Sequence, residues 1–203
     1  MKQGIVMSDH KDVFNKIYET NLWGYGSGLG SLPQTTEPYR RFLVNFIKAN
    51  QIKKILDIGC GDWQFSRLID WSGIDYTGTD VSSVVLANTM KYAKSGVKFI
   101  EANALTDELP EADLVLIKDV IQHWSNADIQ NLLPRLKKYK NILITNGIHS
   151  SGVETVNMDI EAGAWRSVNL LLEPFSAEGS YVFWYNGGEP KSVFLLNGAN
   201  IKS

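Results

Sequence analysis

Two glycine-bearing stretches carry the residue types most suited to holding a cofactor. One is "NLWGYGSGLGS" at 21–31, and the other is "ILDIGCGDWQ" at 55–64. A cofactor loop in an open α/β sheet leaves the carboxyl end of a strand and enters a helix, where backbone N–H groups converge on the ligand. The second stretch meets that condition, because "KKILDIG" is an apolar, β-branched run that stops at glycine. No strand pattern precedes the first. Gly59 and Gly61 let the backbone turn sharply and approach a ligand with no Cβ in the way. Asp57 stands two residues before Gly59, and Asp80 ends the next strand pattern in "GTD", where a carboxylate can accept both hydroxyls of a ribose.

The elements that must position these groups are legible as alternating patterns. Strand candidates are 75–81, 97–103, 113–120 and 141–147, the last two continuously apolar as expected for strands covered on both faces. Helical patterns lie between them. Phe65, Leu68 and Ile69 share one face, and Leu86, Met90 and Ala93 share another behind a Ser82–Ser83 cap. Ile129, Leu132, Leu133 and Leu136 follow Ser125 and Asp128, placed as a capping box, and Pro134 predicts a kink or an early stop. Such alternation predicts an α/β doubly wound fold. "SYVFWYNGGEPKSVFLLNG" then reads as two strands around a turn, a C-terminal antiparallel hairpin. Two helices precede the first strand. Phe14, Ile17 and Tyr18 line one; Tyr39, Phe42, Leu43, Phe46 and Ile47 line the other, with Thr36 as N-cap and Pro38 in the first turn.

Composition narrows the function classes. The chain has 203 residues, 44% hydrophobic and 21% charged, with a net charge of −2. A nucleic-acid footprint needs a basic face on a basic domain, and the densest basic run, "RLKKYK" at 135–140, reads as a solvated helix end. Cys60 is the only cysteine, which removes disulfide frameworks and thiolate metal clusters and fits a reducing compartment. No apolar run is long enough to cross a bilayer, and the expected location is cytoplasmic. Nothing in the sequence signals an oligomeric state.

With these residues in view, the chain resembles the class I, Rossmann-like S-adenosylmethionine (SAM)-dependent methyltransferases. "LDIGCG" matches their acidic-x-G-x-G motif, "YTGTDVS" their ribose-binding strand end, and "EANALTDELPEADLVLIKDVIQHW" their adenine-binding turn and fourth strand. "ETNLWGYGSG" ahead of "LDIGCGDWQ" resembles a bacterial subgroup of unassigned acceptor. The resemblance implies a mostly parallel seven-stranded sheet with a C-terminal antiparallel hairpin. It also implies a short N-terminal helical cap over 1–50 and a SAM-binding domain over 51–203. It departs at Trp63, where many members have a third glycine; this side chain either crowds the loop or stacks near the methionine end.

The resemblance carries roles to individual positions. Asp57 and the backbone of Gly59, Cys60 and Gly61 should face the methionine portion of S-adenosyl-L-methionine. Asp80 should bind the ribose with Val81 on the adenine, and Asn103 and Ala104 should hold the adenine amino group. Lys118 and Asp119 should border the sulfonium and the acceptor. The same residues admit plainer readings, a helix-capping carboxylate for Asp80 and a turn former for Asn103. Methyl transfer is an in-line displacement, so alignment dominates, and a hydroxyl acceptor gains from a general base. His123 is the best-placed base, with Asp119 to orient it or to bind substrate; His10 and His149 lie in the first helix and after the fifth strand. The first glycine stretch should fold over the cofactor as a lid, with Trp23 and Tyr25 as stacking surfaces and Arg40 reaching a carboxylate, including that of SAM. Trp124 is a candidate apolar wall on the acceptor side, and Trp165 with Arg166 a candidate acceptor site of aromatic wall and fixed cation.

The acceptor expected from this pattern is a small molecule or glycan, methylated on oxygen, with S-adenosyl-L-homocysteine (SAH) as co-product. "KDVI" stands where DNA base methylases carry an Asn/Asp/Ser-Pro-Pro-aromatic motif, so no DNA is expected. Asp119 and Asn146 give only part of a metal-dependent catechol-type site, so no metal is expected. A protein or RNA methyltransferase, a nicotinamide-dependent oxidoreductase and a non-catalytic SAM-binding module stay open as alternatives. The oxidoreductase wants a third glycine at 64, where this chain has Gln.

Overall fold

The computed structural model describes residues 10–148 and 156–201. His149 and the outer ends of the two expected domains lie outside the described residues. Seven strands form one sheet: β1 (Lys54–Ile58), β2 (Asp75–Asp80), β3 (Val97–Glu101), β4 (Leu114–Lys118), β5 (Asn141–Gly147), β6 (Gly179–Asn186) and β7 (Pro190–Leu196). Their order is β3-β2-β1-β4-β5-β7-β6. The first five pair in parallel, and β7 runs antiparallel to both β5 and β6.

Strand β4 sits at the centre, and all five of its residues are buried. Its side chains alternate between two cores, as the two-residue period of a strand requires. Val115 and Ile117 join Leu56, Ile142 and Ile144 beneath α4 (Asn126–Arg135), with Phe14 and Ile17 of α1 (His10–Glu19) in the same core. Leu114 and Leu116 join the opposite core with Tyr39 and Leu43 of α2 (Glu37–Ala49) and Val85 and Leu86 of α3 (Ser83–Thr89). Helix α2 is therefore a layer of the sandwich, while α1 packs on α3 near the carboxyl ends of the parallel strands.

Local signals explain several element ends. Ser82 Oγ accepts from Val85 N to start α3, and Ser125 Oγ accepts from Asp128 N to start α4. Helix α4 stops at Arg135, one residue past Pro134. The helical pattern around Phe65, Leu68 and Ile69 is corrected to a single 3-10 turn, Ser66–Leu68. Trp63 takes φ +59° just ahead of it, a conformation that no right-handed helix passes through. Trp63 is buried among Tyr76, Tyr92 and Phe99, so it belongs to the core below the loop rather than to the methionine end.

Candidate active site

The β1 loop is held from behind by β2. Gly59 N and Cys60 N donate to Thr79 O at 2.8 and 2.9 Å, and Gly61 N donates to Asp80 Oδ2 at 3.0 Å. Gly59 has φ +73°, and a Cβ there would lie 2.4 Å from Val120 Cγ2, so this turn admits only glycine. Asp80 is buried; burial pushes its carboxyl up to about 6, against the backbone N–H donors of Ser82 and Gly61. It lines a narrow slot of about 60 Å³ with Val81, Asn103, Ala104, His10, Phe14 and Trp124. Asn103 Oδ1 accepts from Leu105 N at 3.0 Å, closing a turn, and Arg135 Nε donates to Ala104 O at 2.8 Å, fixing it from α4. Trp124 thus faces the slot, not the acceptor side where it was expected.

A second cavity, of about 280 Å³, adjoins the slot through residues common to both: Tyr18, Trp23, Gly59, Asp119 and His123. Its roof is the first glycine stretch. Ser27 N donates to Asp62 Oδ2 and Asp62 N donates to Ser27 Oγ, both at 3.1 Å, while Tyr18 OH lies 3.1 Å from Ser27 Oγ. The two glycine loops therefore lie face to face. Trp23 stacks on His123 with ring centroids 4.6 Å apart, at the junction of slot and cavity.

His123 sits on a short turn after β4, buried, and its ring is fixed by two bonds. Nδ1 lies 2.8 Å from Ala164 O, a geometry that assigns the proton to Nδ1. Nε2 lies 3.3 Å from Gln122 Nε2, whose Oε1 accepts from Gly147 N, so the amide donates and Nε2 accepts. Burial lowers the imidazole pKa below its usual value, which keeps a lone pair on Nε2 near neutral pH. Asp119 has φ +57°, an uncommon backbone state for a residue other than glycine, found here at the cavity floor. It does not touch His123 by a hydrogen bond. Its Oδ2 accepts from Lys118 Nζ at 2.5 Å and its Oδ1 from Lys191 Nζ at 2.7 Å. Against burial, these two ammonium groups hold Asp119 down to about 2.

Four expected positions are corrected. Asp57 does not line either space; its carboxylate accepts from Tyr76 OH in the core below, where burial pushes it up to about 7. Arg40 donates to Pro33 O at 3.1 Å on the outer side of α2, because the helical phase turns its neighbours Tyr39 and Leu43 inward. Tyr25 is 66% exposed. Arg166 is buried and spent on structure, donating to Ile121 O, Met158 O and Asn126 Oδ1 at 2.8, 3.1 and 2.9 Å. It ties the 156–177 segment to the turn bearing His123. Trp165, its neighbour, does line the larger cavity.

Lys191 and Glu189 of the hairpin, Gln122, and the Ser27–Asp62 pair escaped the sequence reading. Only Gln122 carried a local signal, its place beside His123. Among the described residues, no group of three or more His, Cys, Asp or Glu could hold a metal ion, and no helix is long and apolar enough to cross a membrane.

A family model described as an O-methyltransferase domain matches residues 34–160. The chain belongs to the O-methyltransferase domain family. Its fold is that of human N-acetylserotonin methyltransferase in complex with SAM, with TM-score 0.67 and 18% identity over 93% of this chain. The chain spans 59% of that protein's length. It is also similar to magnesium protoporphyrin IX methyltransferase from Synechocystis with bound SAH, with TM-score 0.65 and 13% identity over 91% of this chain and 96% of the other. An O-methyltransferase family 2 protein from Planctomyces limnophilus in complex with apigenin matches with TM-score 0.55 and 16% identity over 71% and 50% of the two chains. No curated protein matches the chain.

Proposed function

We propose that this chain transfers a methyl group from SAM to an oxygen atom of a small acceptor, with His123 as general base. The observation that carries the reading is the junction of the slot and the cavity. There a buried imidazole with its proton on Nδ1 presents Nε2 beside the Gly59–Gly61 loop. The residue types present suit the cofactor, and the narrow slot must widen between α1 and the strand ends to seat an adenosine. Asp80 stands where two ribose hydroxyls can donate to it, Val81 and Trp124 offer apolar faces for an adenine, and Gly59 and Gly61 keep Cβ atoms out of the loop. When bound, SAM supplies an electrophilic methyl on a positively charged sulfur.

The chain's own residues do the remainder. Trp23, Tyr18 and the Ser27–Asp62 clasp close the roof, which excludes water from the site. His123 Nε2 exchanges its long hydrogen bond from Gln122 for one from the acceptor hydroxyl and takes that proton, and Ala164 O stabilises the resulting imidazolium through Nδ1–H. Asp119, held ionised by Lys118 and Lys191, fixes both ammonium groups at the cavity floor. Titration calorimetry with SAH and with NAD tests the cofactor. Binding of SAH without NAD is expected; binding of NAD without SAH removes the reading and leaves a nicotinamide enzyme.

A further inference from the structure

The cavity floor holds two buried lysines, and only one of their anionic partners is free to leave. Lys118 and Lys191 side chains are each 2% exposed, and Asp119, which they share, is 13% exposed. Lys118 Nζ also donates to Gly30 O at 2.8 Å. Lys118 also feels the Asp57 carboxylate in the core below, whereas Asp119, shared by two ammonium groups, leaves Lys191 in need of a second anion. Glu189 supplies it: Oε1 accepts from Lys191 Nζ at 2.9 Å, yet its side chain is 39% exposed. Glu189 follows Gly187 and Gly188 at the hairpin tip, where Gly188 has φ +91°. The Glu189 carboxylate rests against Gly147, whose added Cβ would lie 2.5 Å from Oε1 and 3.2 Å from Trp165 Cζ2. A glycine floor, an indole wall and an ammonium end make a cradle for a carboxylate. It opens into the same cavity as His123.

We propose that the methyl acceptor carries a carboxylate that pairs with Lys191 by displacing Glu189 from it. The proposal rests on the methyl-transfer reading and adds the acceptor's class to it. The exchange keeps the buried charge balanced, since one carboxylate enters as another swings out to water. A neutral acceptor gains no such pairing. The acceptor's carboxylate is an anchor; the oxygen that receives the methyl is a separate hydroxyl turned toward His123.

The test uses 4-hydroxybenzoate and 4-hydroxybenzamide, with an aliphatic hydroxy acid and its amide as a second pair. Each is titrated by calorimetry into wild type, Glu189→Gln and Lys191→Met, with and without saturating SAH. In wild type a carboxylate should bind about tenfold tighter than its amide, and Glu189→Gln should tighten the carboxylate about tenfold more while leaving the amide unchanged. Lys191→Met should abolish the preference; if that variant does not fold, the Glu189→Gln result decides. Equal binding of acid and amide, binding of neither, or weaker carboxylate binding in Glu189→Gln overturns the proposal. SAH binding is recorded separately, so loss of the cofactor reading shows as no SAH isotherm, whatever the acids do.

Discussion

The slot and the cavity meet at His123 but are built by opposite means. The slot's sheet-side wall is made of short-range turns at the ends of adjacent strands: Gly59, Asp80, Val81, Asn103 and Ala104, with His10 and Phe14 of α1 facing them. The cavity gathers Gly30, Asp119, Trp165, Glu189 and Lys191 from segments far apart in the chain. The difference teaches where each kind of specificity resides. A ligand held by strand ends is recognised by geometry that the sheet imposes. A ligand held by distant segments is recognised by charges that packing alone brings together.

The largest expected effect lies at the junction. His123→Ala should lower turnover by about 10²–10⁴-fold while leaving SAH affinity within about twofold, because the imidazole acts on the acceptor proton. The assay is transfer of a labelled methyl group to the best acceptor of the hydroxy-acid and phenol panel. Since burial lowers the His123 pKa, the neutral base is the majority form at pH 7. The wild-type rate should rise with pH only below about 6.5 and be level above neutrality. A comparable loss of SAH binding in this variant would erase the distinction between slot and cavity.

Next comes the slot's backbone. Gly59→Ala combines φ +73° with a 2.4 Å approach to Val120, whereas Gly24 has φ +67° and nothing within 4 Å of an added Cβ. Denaturant unfolding should show Gly59→Ala less stable by about 3 kcal/mol, from overpacking plus backbone strain. Gly24→Ala should cost about 1 kcal/mol, from the backbone alone. Equal costs would mean that the loop yields easily and is no fixed cradle.

A smaller effect belongs to Asp80. Asp80→Asn should weaken SAH binding by about 10–100-fold, the loss of hydrogen bonds to a charged acceptor. Burial raises this carboxyl to about 6, so in wild type the accepting, ionised form is lost as pH falls through that value. SAH affinity should therefore decline on acidification below about pH 6, and the Asn variant should lack that decline. A variant that binds normally would make Asp80 a strut between Gly61 and Ser82. The smallest effects belong to Tyr25→Ala and Arg40→Ala, which should change stability and SAH affinity by no more than about 0.5 kcal/mol.

Much of the slot was legible because its signals are local. The glycine run is contiguous, Asp80 lies two residues from Ser82 N, and each capping serine lies three residues from the N–H it accepts. The parallel sheet and the terminal hairpin were legible from apolar runs and a glycine turn. What failed did so through distant packing. Trp63 finds its burial against Tyr76 and Phe99 of β2 and β3, which turns the loop away from a helix. Arg166 has the charge of an anion binder, yet carbonyls brought to it from 121 and 158 consume its donors. Of the two cations lining the cavity, Lys118 was legible and Lys191 was not, because its place depends on β7 pairing back against β5.

The division between slot and cavity is tested most directly by hydrogen–deuterium exchange with and without SAH. Exchange should slow across 21–31, 59–63, 80–83 and 102–105, where backbone lines the slot or roofs the cavity beside it, and should stay unchanged at 187–191. Adding a bound carboxylate acceptor should then slow 187–191. Protection of the hairpin by SAH alone, with 21–31 and 80–83 unaffected, would contradict the account.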